Sequence, residues 1–203
     1  MKQKSSFNWN PFFTWLAANI LGFGSLGIAL HLIPSILSPS GILGSVLIIS
    51  IPVSLAQWLA LRRFFPISIL WVFTIPIGLS VVILMGKYLP NSIWDYVDDE
   101  ALTTLIVSYL IIGVVISMPQ WIILRRYCDK AYFWILGTSL GAALGMGTVI
   151  ATDLINQSGI ISYIIAFILY AIPTGLTLAW LLENSNQSEI PAVSVPESSN
   201  YIE

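Results

Sequence analysis

The chain has 203 residues, of which 57% are hydrophobic and only 9% charged, with a mean hydropathy of +0.86. Soluble globular domains carry about 25% charged residues, so this composition excludes an ordinary water-soluble fold and points to a membrane. A net charge of −2 gives no electrostatic basis for nucleic-acid binding, and the single cysteine, Cys128, excludes an internal disulfide.

Lys2 and Lys4 open the chain ahead of an apolar run too long for a signal-peptide core of about 7–15 residues. That run, Phe12–Ile33, is read as a retained first span. Five more follow: Ile42–Leu61, Ile67–Gly86, Leu102–Leu124, Tyr132–Ala151 and Ile160–Leu182. None contains Asp, Glu, Lys or Arg, as the cost of charge in hydrocarbon requires. Backbone hydrogen bonding in lipid demands a helix or a closed barrel, and length without strict alternation selects helix. The expected fold is an all-α integral membrane protein of six transmembrane helices. Residues 1–10 form a cytoplasmic N-terminal segment, 11–182 the membrane domain, and 183–203 a flexible cytoplasmic tail rich in Ser, Asn, Pro and Glu.

Orientation follows from Lys and Arg placement. With six crossings, Lys2, Lys4, Arg62, Arg63, Arg125, Arg126 and Lys130 share one side, leaving Lys87 on the other with Asp95, Asp98, Asp99, Glu100 and Asp153. Both termini are therefore expected in the cytoplasm, with the membrane being a plasma (inner) or thylakoid membrane.

The segment Gln57-Trp58-Leu59-Ala60-Leu61-Arg62-Arg63 returns at a constant offset as Gln120-Trp121-Ile122-Ile123-Leu124-Arg125-Arg126. The same register carries Trp71 onto Trp134 and Gly78 onto Gly141, and Trp15 with Gly22 shows that spacing again. Ala179-Trp180-Leu181-Leu182-Glu183 reads as a decayed third copy of the Gln-Trp segment. The unit is two helices, with repeats at about 11–63, 64–126 and 127–183. Each unit crosses twice, so the copies are parallel and are expected to form a pseudo-threefold bundle about the membrane normal.

The doubled Q-W-x-x-L-R, with its downstream Trp and Gly-rich helix, resembles a group of bacterial polytopic membrane proteins frequent in cyanobacteria. The resemblance spans most of the membrane region, departs in the third unit at Ala179 and Glu183, and implies a bacterial membrane without implying an activity. Three two-helix repeats also occur in mitochondrial carriers, but their signature Pro-x-Asp/Glu-x-x-Lys/Arg motif is absent here.

Trp58, Trp121, Trp71 and Trp134 are read as interface anchors, with Arg62 and Arg125 placed one turn along for cation–π contact with Trp58 and Trp121. Gln57, Arg62, Gln120 and Arg125 could instead line a cytoplasmic vestibule for an anionic ligand or lipid headgroup. Gly137, Gly141 and Gly145 form a small-residue stripe for close helix packing, within the bundle or against a partner. Pro52, Pro76, Pro119 and Pro173 are expected to kink their helices. Asn19 is read as an interhelical hydrogen-bonding group, and His31 as an interface histidine. The acidic loop Asp95–Glu100 reads as a solvated segment or a docking patch for a basic partner. No cofactor, metal site or catalytic constellation is implied.

Three function classes follow. The first is a non-catalytic accessory or assembly component of a larger membrane complex, with lipids and a membrane-protein partner or second copy as its contacts. The second is an uncoupled carrier or channel for a small neutral or anionic solute. The third is an intramembrane enzyme, which would need a positioned acid, base, nucleophile or metal.

Overall fold

Each of the six apolar stretches contributes one α-helix, and the chain's prolines and glycines set where those helices begin and how closely they meet. The structure, a computed structural model, describes residues 7–32, 42–88, 101–154 and 160–185. The helices are α1 (Asn10–Leu32), α2 (Ile42–Leu61), α3 (Thr74–Tyr88), α4 (Ala101–Leu124), α5 (Phe133–Leu154) and α6 (Ile160–Asn184). A 3-10 turn, Ile69–Phe73, precedes α3, and the described residues contain no strand. The protein is thus all-helical. By length and composition, two described segments are long and apolar enough to cross a membrane, Ile106–Leu124 and Ile161–Asn184, while Ser50–Leu61, Ile69–Met85 and Phe133–Val149 are shorter apolar stretches. Residues 1–6, the acidic loop 95–100, residues 156–158 and the tail 186–203 lie outside the described residues.

The third apolar stretch differs from its expected form. Pro76 stands in the first turn of α3, not as a kink within a continuous span. A proline there lacks the N–H that would bond the residue 72 carbonyl, and its ring crowds that carbonyl. The chain before it tightens into 3-10 geometry, and the α-helix starts at Thr74, where the first N–H groups need no helical partner. Ser139 occupies the matching position 63 residues on, and there the α-helix runs unbroken from Phe133. Pro52, Pro119 and Pro173 do lie inside α2, α4 and α6. The last helix continues two residues beyond Leu182, to Asn184.

Helices adjacent in sequence pack side by side, and α6 returns onto α1, so the six form a closed ring in chain order. Within each hairpin the glycine seven residues after the odd helix's tryptophan marks a close approach of the two helices. A Cβ placed on Gly22 would stand 2.8 Å from the Val53 Cα, one on Gly78 2.6 Å from the Ile116 Cα, and one on Gly141 2.7 Å from the Tyr170 carbonyl oxygen. Val53 and Ile116 are themselves 63 residues apart. Gly145 meets the Ala166 carbonyl in the same way, and Gly137 abuts Thr177. The stripe Gly137, Gly141, Gly145 is therefore occupied by α6.

The two connections that follow α2 and α4 open and close with the same backbone hydrogen bonds. Arg62 N–H bonds the Trp58 carbonyl as Arg125 bonds Trp121, both at 2.9 Å, and Arg63 bonds Ala60 as Arg126 bonds Ile123, both at 3.2 Å. Trp71 and Trp134 likewise bond back three residues, to Ser68 and Ala131. A bond from the Tyr127 hydroxyl to the Pro66 carbonyl (3.0 Å) ties one connection to the other. The outer surface carries large apolar side chains on every helix, among them Leu21, Leu59, Ile77, Ile111, Leu136 and Ile161.

The glycine contacts predict a graded response. Gly78→Leu should destabilise the fold by roughly 1–3 kcal/mol, because its Cβ meets backbone that cannot rotate aside. Gly147→Ala, where a Cβ meets nothing within 4 Å, should be neutral or stabilising by up to about 1 kcal/mol. Thermal unfolding in detergent reads both.

Candidate functional site

One residue type organises the interior. Trp15, Trp71 and Trp134 occupy the same position in the three hairpins and are all fully buried. The Trp134 ring stands between the other two, edge-to-face with Trp15 at 5.2 Å and with Trp71 at 6.0 Å between centroids. Ala18, Leu61, Phe65, Leu124, Cys128 and Leu178 pack around them.

The indole N–H is a donor with no acceptor capacity, so each buried tryptophan needs an oxygen. Trp134 Nε1 donates to Gln120 Oε1 at 2.8 Å, and Trp15 Nε1 donates to Thr174 Oγ1 at 2.9 Å, joining α1 to α6. The Thr174 hydroxyl in turn donates to the carbonyls of Tyr170 and Ala171. Trp71 Nε1 is buried without a hydrogen-bond partner.

Beside the indoles lies a layer of neutral polar groups. Asn19 Nδ2 donates to the Trp15 carbonyl at 2.9 Å, and its Oδ1 accepts from Gln57 Nε2 at 2.8 Å. The Tyr170 side chain adjoins Gln57. Ser54, Gln57, Ser117, Gln120 and Thr174 have no exposed surface. Among the described residues, six side-chain atoms are buried without a partner: Ser54 Oγ, Gln57 Oε1, Trp71 Nε1, Gln120 Nε2, Thr138 Oγ1 and Ser139 Oγ. Each such group costs about 1–3 kcal/mol. Together they would consume much of a typical net stability of about 5–15 kcal/mol. Buried water or a bound polar molecule is the usual remedy, typically through about three hydrogen bonds per water.

The residues singled out in the sequence fall into two groups. Gln57 and Gln120 are inside. Arg62 and Arg125 are exposed, with their guanidinium carbons 4.5 Å and 5.1 Å from the ring centroids of Trp58 and Trp121. The four are therefore divided, with the glutamines in the interior and the arginines at the surface. The four tryptophans divide likewise: Trp58 and Trp121 are half-buried under their arginines, while Trp71 and Trp134 have no exposed surface and belong to the core. Lys130 lies over Trp180 at 5.5 Å, which gives the third hairpin a version of the same cation–ring pairing. His31 falls within α1.

Thr174, Tyr170, Ser54, Ser117 and Thr138 escaped the sequence reading. Ser54 and Ser117 had a usable signal, since each precedes its repeat glutamine by three residues and so shares its helix face. Thr174 had none, because the third copy is decayed there.

Cys128 lies in the connection after α4, at the register position of Phe65, and both are buried. Burial, and secondarily the adjacent Asp129 carboxylate, push its thiol up to about 11. Compared with protein families, with curated proteins and with solved structures, the chain matches none.

Two outcomes follow. The Gln120–Trp134 hydrogen bond should appear as a coupling of about 1 kcal/mol in a double-mutant cycle of Gln120→Leu and Trp134→Phe, measured by unfolding in detergent. The raised thiol value means that Cys128's contribution to stability is whole below about pH 9 and is lost as pH climbs through about 11. Maleimide labelling of the folded protein at pH 8 should accordingly lag far behind labelling of the unfolded chain.

Proposed function

We propose that this chain is a six-span integral membrane protein that holds a small neutral polar solute inside its helix ring, as an uncoupled carrier or channel. All six helices cross the bilayer as three parallel hairpins about a pseudo-threefold axis. The termini and the arginine-bearing connections face the cytoplasm of a bacterial plasma or thylakoid membrane. The outward apolar side chains on every helix support the membrane placement, and so does the gathering of arginine and tryptophan at one end. The resemblance to the cyanobacterial-type group with a doubled Q-W-x-x-L-R agrees with this reading.

The observation that carries the solute role is the buried layer of unpartnered neutral donors and acceptors inside an apolar exterior. Such groups are costly in a low-dielectric interior unless something binds them. A neutral solute is favoured over an anionic one because the arginines are exposed and engaged with Trp58 and Trp121 outside that layer. Uncoupled movement agrees with spans that carry no Asp, Glu, Lys or Arg.

The second reading is a non-catalytic accessory component of a membrane complex. It drew on the glycine stripe as a partner surface, and α6 occupies that stripe. What favours it still is the tryptophan triad, which fills the ring's centre at the arginine-bearing end as a static core would.

Purified protein in liposomes should accelerate the osmotic relaxation of vesicles challenged with acetamide or glycerol, followed by light scattering, and Gln57→Leu should abolish the increase. Permeability equal to that of protein-free vesicles would remove the solute role. A stoichiometric protein partner in mild detergent would then establish the accessory reading.

A further inference from the structure

The first and second copies of the Gln–Trp pair share one register but not one state. In the second copy Gln120 turns its carbonyl to the Trp134 N–H. Trp is donor-only, so this contact also fixes Gln120 Nε2 as the free end of that amide. Gln57 precedes Trp71 by the same fourteen residues, through a connection that opens and closes with the same backbone hydrogen bonds. Yet Gln57 Oε1 and Trp71 Nε1 are both buried and both unpartnered. A matched acceptor and donor, placed to meet, are held apart.

The cause is Asn19. It stands four residues after Trp15, where the other hairpins have Ile75 and Thr138. Its Oδ1 takes the Gln57 Nε2 hydrogen bond, and its own Nδ2 is fixed on the Trp15 carbonyl. The Gln57 amide is thereby turned toward α1, and its carbonyl makes no bond of the kind that Gln120 makes to Trp134. The Tyr170 hydroxyl, beside Gln57, is a further group able to donate or accept.

We propose that one small neutral molecule binds between the Gln57 carbonyl of the first hairpin and the Trp71 indole N–H of the second. Its polar head presents a donor and an acceptor together, as a hydroxyl or a primary amide does, and water is its smallest member. The donor meets Gln57 Oε1, the acceptor meets Trp71 Nε1, and Asn19 holds the site open. This deepens the solute reading above by naming the ligand's chemistry and its contacts.

The test is nuclear magnetic resonance on the full chain in detergent micelles, with 15N-labelled tryptophan and the indole signals assigned by single Trp→Phe changes. Acetamide and ethanol are the probes, and water exchange at each indole proton is read in their absence. A saturable shift of the Trp71 signal, with Trp134 unmoved, supports the site and identifies a solute ligand. No shift, but magnetisation exchange with water at Trp71 and not at Trp134, supports the site with water as occupant. Either response should vanish in Asn19→Ile, which gives the first hairpin the residue of the second and lets Gln57 reach Trp71 directly. A Trp71 signal that neither moves nor exchanges, matching Trp134, overturns the proposal even if Asn19→Ile fails to fold. Binding at Trp71 without vesicle flux would remove the carrier role and keep the site. Flux without any response at Trp71 would do the reverse.

Discussion

Three indole N–H groups must find acceptors inside a helix ring, and much of the architecture answers that demand. In the proposed bilayer setting, lipid tails are as apolar as leucine, so burying tryptophan against tryptophan would gain little from water exclusion. What remains is packing and hydrogen bonding. Edge-to-face ring pairs contribute about 0.5–1.5 kcal/mol each. Interhelical hydrogen bonds contribute about 0.6 kcal/mol on average. The Trp15–Thr174 bond closes the ring between first and last helices, and the Trp134–Gln120 bond fixes α5 on α4. Close backbone approach at Gly22, Gly78 and Gly141, two helical turns from the triad, accompanies this convergence.

Much of this was written in the repeat. The doubled Gln-Trp segment and the Trp-to-Gly spacing mark the equivalent positions of the three hairpins, and the two connections open and close with the same hydrogen bonds. The direction in which those residues point was not legible. Trp58 and Trp71 are both tryptophans near a helix end, yet one lies under an arginine and the other fills the core. A repeat supplies register, whereas the inward or outward choice depends on neighbours from other hairpins. The 3-10 turn before α3 was foreseeable from Pro76 only once the helix start was fixed, since proline is disruptive in a helix interior and harmless in a first turn.

The candidate site was half legible for the same reason. Gln57 and Gln120 stood out by repetition, and Asn19 by its polarity in an apolar run. Their arrangement did not, because it turns on a single departure from symmetry. Asn19 captures Gln57, whereas its counterpart Ile75 in the second hairpin leaves Gln120 to Trp134. Thr174 replaces the missing third glutamine from deeper in α6, a substitution hidden by the decay of the third copy. Symmetric scaffolds make such departures conspicuous, and here the departure coincides with the unpartnered donor and acceptor.

Ring closure by α6 on α1 is the claim on which the triad and the interior depend, and cross-linking tests it most directly. A Cβ on Gly175 would stand 3.1 Å from the Phe12 ring, so cysteines at positions 12 and 175 should be joined by a short bifunctional maleimide in a Cys128→Ser background. With a protease site placed between residues 89 and 100, closure predicts that the two halves remain one species after cleavage, in monomeric protein at high dilution. Halves that separate freely, while cysteines at 19 and 57, which face each other across α1 and α2, still cross-link within the N-terminal half, would contradict the closed ring.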